Sequence, residues 1–293
     1  MHRQFKTLAK PYIVTRGKRF RLTERPTKVS HTAHHTKKLL KTGVKALSEL
    51  QEKLYAQDRW GVLLIFQAMD AAGKDSAVEH VMSGVDPTGC QVFSFKAPSS
   101  EDLDHDFMWR TSKCLPERGR IGIFNRSYYE ETLIVRVHPE ILAHQKMPPT
   151  LVSKRIWQER FEDINAFEKY LARQGFVILK FFLHVSRKEQ RNRFLARLDR
   201  PDKNWKFAFG DLAERSCWRA YMNAYSDTIR QTATPHAPWV VVPADDKKYA
   251  RAVVAAAIID AMERLKLAFP EVNAKQLADL RRARRLLARE GRR

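Results

Sequence analysis

Leu63-Leu64-Ile65-Phe66-Gln67-Ala68-Met69-Asp70-Ala71-Ala72-Gly73-Lys74-Asp75-Ser76 decides how the rest of the chain is read. A short apolar run ends in small residues, a Gly-Lys pair follows, and the next residues can open a helix. That is the layout of a phosphate-binding loop. Small residues let backbone N–H groups approach phosphate oxygens, a helix N-terminus adds positive potential, and the lysine adds a point charge. Two positions depart from the standard pattern: Ala68 stands at its first Gly and Asp75 at its Ser or Thr. A buried strand followed by a tight turn with a surface lysine is the competing reading of this segment. Ala71, Ala72, Gly73, Asp75 and Ser76 are the expected phosphate cradle around Lys74.

A second apolar run, Arg120-Ile121-Gly122-Ile123-Phe124, ends in Asn125-Arg126-Ser127-Tyr128-Tyr129-Glu130-Glu131. Polar residues at the carboxyl end of a parallel strand sit where such sheets bind ligands. Asn125 as a plain helix cap is the alternative.

The wider chain is strongly basic, with a net charge of +21 over 293 residues and a pI near 10.1. Such a charge calls for a polyanionic partner: nucleic acid, an anionic membrane or polyphosphate. With 44% hydrophobic residues there is material for a sizeable core. Cys90, Cys114 and Cys217 are odd in number and lack metal-type spacing, which argues against a disulfide framework or structural zinc. No apolar stretch reaches the ~18 residues of a membrane span, so a cytoplasmic protein is expected.

Residues 1–35 read as a basic, irregular arm, with His31, His34 and His35 solvated. Leucines at helical spacing predict an amphipathic helix over 36–57. Strands are expected at about 61–67, 91–95, 119–124, 176–183 and 239–242. Helices are expected at about 74–83, 100–116, 151–173, 187–198, 211–230, 246–267 and 273–290. Alternating strands and helices imply an α/β fold, with a five-stranded parallel sheet flanked by helices. The strand runs are apolar without alternation, as strands covered on both faces should be.

QAMDAAGKDS (67–76), SGVDPTGCQVFSFKAP (83–98), HDFMWR (105–110), GRIGIFNRSYYEETLIVRVHPE (119–140) and NWKFAFGDLAERSCWRAY (204–221) occur in an order that resembles the polyphosphate kinase 2 family. The resemblance covers most of residues 35–268. The Asn-Arg-Ser-Tyr-Tyr-Glu-Glu form resembles the family's class III, whose members phosphorylate both nucleoside mono- and diphosphates. Other members carry Asp where this chain has Asn125, and many carry Gly where it has Ala68. The resemblance implies a phosphate-loop kinase fold like that of thymidylate kinase, with a helical lid at about 188–232. It divides the chain into a basic arm (1–35), a kinase domain (36–270) and a basic C-terminal helix (271–293). Arg191, Arg193, Arg197, Arg200, Lys203 and Lys206 crowd the lid segment, close to Trp205, Trp218 and Tyr221. A solvated basic face, with both tryptophans in the core, is the alternative.

Phosphoryl transfer needs positioning and charge neutralisation more than covalent chemistry. Asp70, Lys74, Asn125 and Arg126 are the candidate catalytic residues. A carboxylate inside the loop makes sense if Asp70 meets Mg²⁺, or Mn²⁺ in its place. By the resemblance, Asn125 stands where other members place a second metal-facing Asp, and an amide there offers an oxygen but no charge. Glu130 and Glu131 are acceptor-side carboxylates able to compensate in part. Lys96, Arg110, Arg136, Arg193 and Arg197 are candidate phosphate contacts. The expected reaction is reversible transfer of the terminal phosphate of inorganic polyphosphate to nucleoside diphosphates and monophosphates. Nucleoside mono-, di- and triphosphates and polyphosphate are the expected ligands, and a homo-oligomer is expected. Membrane and nucleic-acid partners are not. An ATP-dependent nucleotide kinase, or a nucleic-acid-binding phosphate-loop protein using Arg281, Arg282, Arg284, Arg285, Arg289, Arg292 and Arg293, are the alternatives.

Overall fold

Short apolar runs separated by amphipathic helices fold here into a three-layer α/β architecture. The computed structural model describes residues 2–290. In chain order its elements are α1 (His2–Ala9), β1 (Ile13–Val14), α2 (Ala33–Gln57), β2 (Gly61–Ala68), α3 (Lys74–Val81), β3 (Cys90–Ser94), α4 (Ser100–Asp104), α5 (Trp109–Ser112) and β4 (Ile121–Asn125). There follow α6 (Ile134–Val137), α7 (Ile156–Arg173), β5 (Phe176–His184), α8 (Arg187–Leu198), α9 (Gly210–Ser216), α10 (Trp218–Thr232), β6 (Trp239–Pro243), α11 (Lys247–Glu263) and α12 (Ala274–Glu290). Short 3₁₀ turns connect several of them.

The strands among the described residues form one six-stranded sheet in the order β1-β6-β5-β2-β4-β3. Strands β2 to β6 are parallel, as expected. β1 adds an antiparallel edge strand, pairing Ile13 with Val240 and Val14 with Trp239. Two residues are too short a run to show a period, so the sixth strand left no mark on the pattern. β2 is buried throughout and lies between β5 and β4. Phe66 of β2 and Phe181 of β5 stack at 4.8 Å beneath the sheet's carboxyl edge. After β2 the chain crosses to β3, and after β4 it crosses to β5 on the other side. The carboxyl end of β2 therefore sits at the reversal of strand order, where open α/β sheets leave a crevice.

One layer of helices is built on α11, which packs against α1, α2, α3 and β6. The run from Ala252 to Ile259 is buried on every side, as a helix covered all round requires. Residues 1–35 are not the solvated arm expected from their charge. Phe5, Ala9, Tyr12, Val14, Phe20 and Leu22 are buried in the main core. The Tyr12 hydroxyl meets that of Tyr249 at 2.8 Å, and Thr27 Oγ1 donates to Asp245 Oδ2 at 2.9 Å. At Gly17 a Cβ would come within 2.0 Å of the Arg230 carbonyl oxygen, so only glycine admits this approach to α10. His31 rests on the Tyr249 ring, 3.7 Å from an Asp246 oxygen. Interleaved Lys and Arg masked the helically spaced Phe5, Leu8, Ala9 and Tyr12.

Three helix expectations are corrected in detail. Residues 100–116 hold two short helices, α4 and α5, not one. A break at Cys217 divides 211–230 into α9 and α10. The long α7 begins at Ile156, after a 3₁₀ turn at Pro149–Leu151. α12 spans most of the expected C-terminal helix and has no buried residue. Arg292 and Arg293 lie outside the described residues. No helix among the described residues is long and apolar enough to cross a membrane.

Candidate active site

The loop between β2 and α3 turns back over the sheet edge through two left-handed residues. Gly73 has φ +99°, a conformation natural to glycine, and Ala71 has φ +59°, which costs a side-chain-bearing residue energy. Lys74 opens α3 and folds back, its Nζ donating to the Ala68 carbonyl at 3.0 Å. Burial, and next the Arg126 guanidinium, hold its pKa below the ordinary lysine value.

β4 delivers its carboxyl-end residues to the same mouth. Phe66 pairs with Asn125 across β2 and β4, and Ser94 pairs with Asn125 across β3 and β4. Asn125 Nδ2 donates to Asp75 Oδ1 at 2.6 Å. Arg126 follows with φ +66°, its own N–H donating to the Phe66 carbonyl at 3.0 Å. This strained backbone turns the guanidinium over the loop, where Nη2 lies 3.4 Å from Asp70 Oδ1. Burial opposes the Arg126 charge, but Glu130 and Asp70 outweigh it and raise its pKa.

The two glutamates part company. Glu130 faces Arg126 and Lys74, and with the Gln67 amide turned nitrogen-inward it accepts from Gln67 at 2.9 Å. Burial raises its pKa, against the pull of Arg126 and Lys74. Glu131 points to Gln145, which donates to it at 2.7 Å, and to Arg160. Adjacent residues on a 3₁₀ turn point to different sides, so Glu131, expected on the acceptor side with Glu130, meets Gln145 and Arg160 instead.

A cleft of about 790 Å³ opens over the loop. Lys74, Lys96, Arg126, Arg193, Arg197, Arg200, Lys203, Lys206 and Lys247 line it, against Asp70, Asp75, Glu79 and Asp211. Arg197 has N–H groups to spare: Nη1 reaches the Lys206 carbonyl at 3.3 Å and lies 3.9 Å from Asp211. Trp205 is 78% exposed beside it, so the reading that places this tryptophan in the core is set aside.

Three expected phosphate contacts are engaged by the protein's own groups. Arg193 is buried and has no donor left for a phosphate. Its Nε donates to Glu189, its Nη1 to the Ala71 and Ala72 carbonyls, and its Nη2 to those of Ala244 and Asp245. A guanidinium has five N–H groups, and all five are used. Arg193 therefore clamps the loop backbone to the end of β6. Arg136 donates to Asp227 Oδ2 at 2.5 Å and lines a separate cavity of about 450 Å³ beside α10. Arg110 stands behind Lys96, donating to its carbonyl at 2.8 Å.

Several contributors escaped the sequence reading. Gln190 Nε2 donates to the Asp70 carbonyl at 2.9 Å, and Arg251 reaches Ser76 Oγ at 2.5 Å. Gln190, Arg193 and Arg197 share one face of α8 at i, i+3, i+7, a spacing that was there to be read. Lys247 and Arg251 sit at i, i+4 where α11 leaves the sheet's carboxyl edge.

A buried network braces the segment after Arg126. Lys180 Nζ donates to Glu168 Oε2 at 2.6 Å, to the Thr232 carbonyl at 2.7 Å and to Tyr129 Oη at 2.9 Å. The Tyr128 and Tyr129 hydroxyls both donate to Glu168 Oε1, at 3.0 and 2.8 Å. The network joins β5, α7, the end of α10 and the turn carrying Tyr128 and Tyr129.

The mouth suits a hard divalent cation. Asp70, Asp75 and Asn125 offer oxygen donors, and no three His, Cys, Asp or Glu among the described residues form a complete cage. Such a sparse oxygen set fits a divalent cation that retains waters and takes phosphate oxygens as further ligands.

Comparison with known proteins agrees with this geometry. The polyphosphate kinase 2 (PPK2) family model matches residues 30–270. The chain is 50% identical over 286 residues to an ADP-polyphosphate phosphotransferase of Rhodopseudomonas palustris, covering 96% of this chain and 99% of that protein. It is 43% identical over 225 residues to an AMP/ADP-polyphosphate phosphotransferase of Meiothermus ruber, covering 77% and 80%. The crystal structure of polyphosphate kinase 2 from Arthrobacter aurescens TC1 superposes with a TM-score of 0.87 at 39% identity, covering 96% of each chain.

Proposed function

The chain belongs to the polyphosphate kinase 2 family, and from that premise we propose that it transfers the terminal phosphate of inorganic polyphosphate to nucleoside diphosphates and monophosphates, reversibly. The observation that carries this reading is the basic wall running from Lys74 and Arg126 to Arg197, Arg200, Lys203 and Lys206 along one cleft. A nucleotide alone needs fewer cations than this, whereas a phosphate chain can engage them in series.

In the reaction, a terminal oxygen of the acceptor attacks the last phosphorus of the donor. The bond from that phosphorus to its bridging oxygen breaks, and the shortened polyphosphate leaves with that oxygen. Lys74 and the Gly73 N–H hold phosphate oxygens, while the Ala72 N–H closes the loop turn on the Met69 carbonyl at 3.1 Å. Arg126 covers the moving phosphoryl group, its strained backbone fixing the guanidinium in place before substrate arrives. Asp70, with Asp75 and Asn125, would hold Mg²⁺ or Mn²⁺, which neutralises charge on the phosphates. Glu130 tempers Arg126 and Lys74 from the acceptor side. Segment 188–232 acts as a lid that carries Arg197 and its basic neighbours onto the donor. The kinase domain is assigned to 36–270 with the segment from Phe5 to Leu22 packed into its core, and a cytoplasmic, homo-oligomeric enzyme is the accompanying reading.

The test is direct. Purified protein with Mg²⁺, ADP or AMP, and polyphosphate should yield ATP from ADP and phosphorylated nucleotide from AMP. Use of ATP as the sole donor, with polyphosphate inert, would overturn the reading.

A further inference from the structure

α12 is a charged helix with no partner in the fold. Every residue from Ala274 to Glu290 is exposed. At roughly 100° per residue, Lys275, Arg281, Arg282, Arg285 and Arg289 fall on one half of its circumference. Its carboxylates, Asp279 and Glu290, and one further arginine, Arg284, fall on the other half, beside Leu280, Ala283 and Leu287. None of these five cations is paired with a described carboxylate. Arg281, Arg285 and Arg289 follow at i, i+4, i+8, about 6 Å apart along the axis. The result is a linear row of fork-shaped donors with no internal counter-charge.

We propose that this arginine row is a second binding site for the polyphosphate donor, outside the catalytic cleft, which holds long chains while their ends are processed. The proposal rests on the polyphosphate-transfer reading above. Charge complementarity selects the occupant. A row of guanidinium groups suits a linear polyanion whose successive phosphates each accept two hydrogen bonds. An anionic membrane fits less well. A helix lying in a bilayer surface buries its apolar face and sets cations along that face's borders. Here Asp279 and Glu290 stand beside the leucines, where anionic headgroups would meet them.

Position makes the site length-selective. Lys247 at the start of α11 lines the cleft, and α11 then runs about 24 Å to Glu263 before α12 begins. A long chain is therefore expected to engage both the cleft and α12. A short donor uses the cleft alone. Engagement at both places raises the effective concentration of the reacting end.

The experiment compares the full chain with the variant Arg281→Gln, Arg282→Gln, Arg285→Gln, Arg289→Gln, glutamine being chosen to keep the helix. KM and kcat are measured with a short and a long polyphosphate at saturating ADP, across a range of salt. For the long donor the variant should raise KM at least about tenfold, and it should reduce the slope of log KM against log salt by about 3, one counterion-release step per arginine. For the short donor, KM and kcat should stay unchanged. Equal effects on both donors, or none on the long one, overturn the proposal. Direct binding of labelled long polyphosphate, without acceptor, is measured in parallel and must weaken in the variant. If neither protein makes ATP from the short donor, the transfer reading fails, and the binding arm alone decides this site. Unchanged polyphosphate binding with lost binding to RNA or to phosphatidylserine vesicles would reassign the helix.

Discussion

Replacing Arg193 separates a residue that shapes the loop from one that touches the donor. The guanidinium satisfies the carbonyls of Ala71, Ala72, Ala244 and Asp245 while pairing with Glu189. Arg193→Lys keeps the charge but brings three donors to five acceptors and lacks the planar fork. At least two acceptors lose their partner. A buried acceptor without a donor costs about 1–3 kcal/mol, and water entering from the cleft keeps the figure low, so stability should fall by about 2–4 kcal/mol. The Ala72 carbonyl belongs to the peptide whose N–H, on Gly73, faces phosphate, and the Ala71 carbonyl to the peptide whose N–H closes the turn on Met69. Releasing them lets the cradle drift, and a misplacement of about 1 Å costs about 100-fold in rate. The assay is kcat and KM with short and long polyphosphate, alongside urea denaturation. The loss should fall mainly on kcat, be equal for both donors, and leave the salt slope unaltered. Arg197→Ala, at a residue with free N–H groups, should instead raise KM for polyphosphate. A loss in Arg193→Lys that grows with donor length would refute the clamp and return Arg193 to the donor track.

Four further expectations follow from the same geometry. Lys74→Ala and Asp70→Asn should each lower transfer by at least about 100-fold with the fold intact by circular dichroism, since each removes a charge at the transferring group; near-normal turnover in either would remove the loop from the reaction. Asn125→Asp adds negative charge beside the acceptor, so the ratio of AMP to ADP use should rise severalfold, roughly 1 kcal/mol of added repulsion against the more charged acceptor; an unchanged ratio points instead to Glu130. Lys180→Met should cost about 3–5 kcal/mol in urea denaturation by leaving Glu168 buried and unpaired, while Lys180→Met with Glu168→Leu should recover much of it; a double variant no better than the single one would show that the two residues are not coupled. Burial holds the His184 imidazole down at about 4, with Nδ1 unpartnered. It is neutral in the fold and takes up a proton on unfolding below its ordinary pKa of about 6.5. Its contribution is therefore complete above that pH and falls away towards pH 4, by up to about 3 kcal/mol. His184→Gln should flatten that part of the pH–stability curve, and an identical curve would exclude His184 as its source.

The parallel core and the position of the loop were legible in the order of residues alone. β2, β4 and β5 are runs with no polar alternation, which only a strand covered on both faces can sustain. Asp70, Lys74, Asn125 and Arg126 lie at the ends of such runs, so strand polarity by itself brings them to one edge. Local patterns could not decide what distant backbone does with a side chain. Arg193 and Arg197 look alike in sequence, one helical turn apart on a basic helix. Packing against the carbonyls of Ala71, Ala72, Ala244 and Asp245 consumed every donor of the first and left the second open to the cleft. Arg136 likewise found Asp227, 91 positions away, before any phosphate. The first 35 residues reached the core because a few apolar side chains at helical spacing outweigh many lysines and arginines, whose stems can lie along a surface with their charges in water. Charge is summed along a chain, but hydrogen bonds are allotted one donor at a time. That allotment depends on which carbonyls the tertiary fold leaves without a partner.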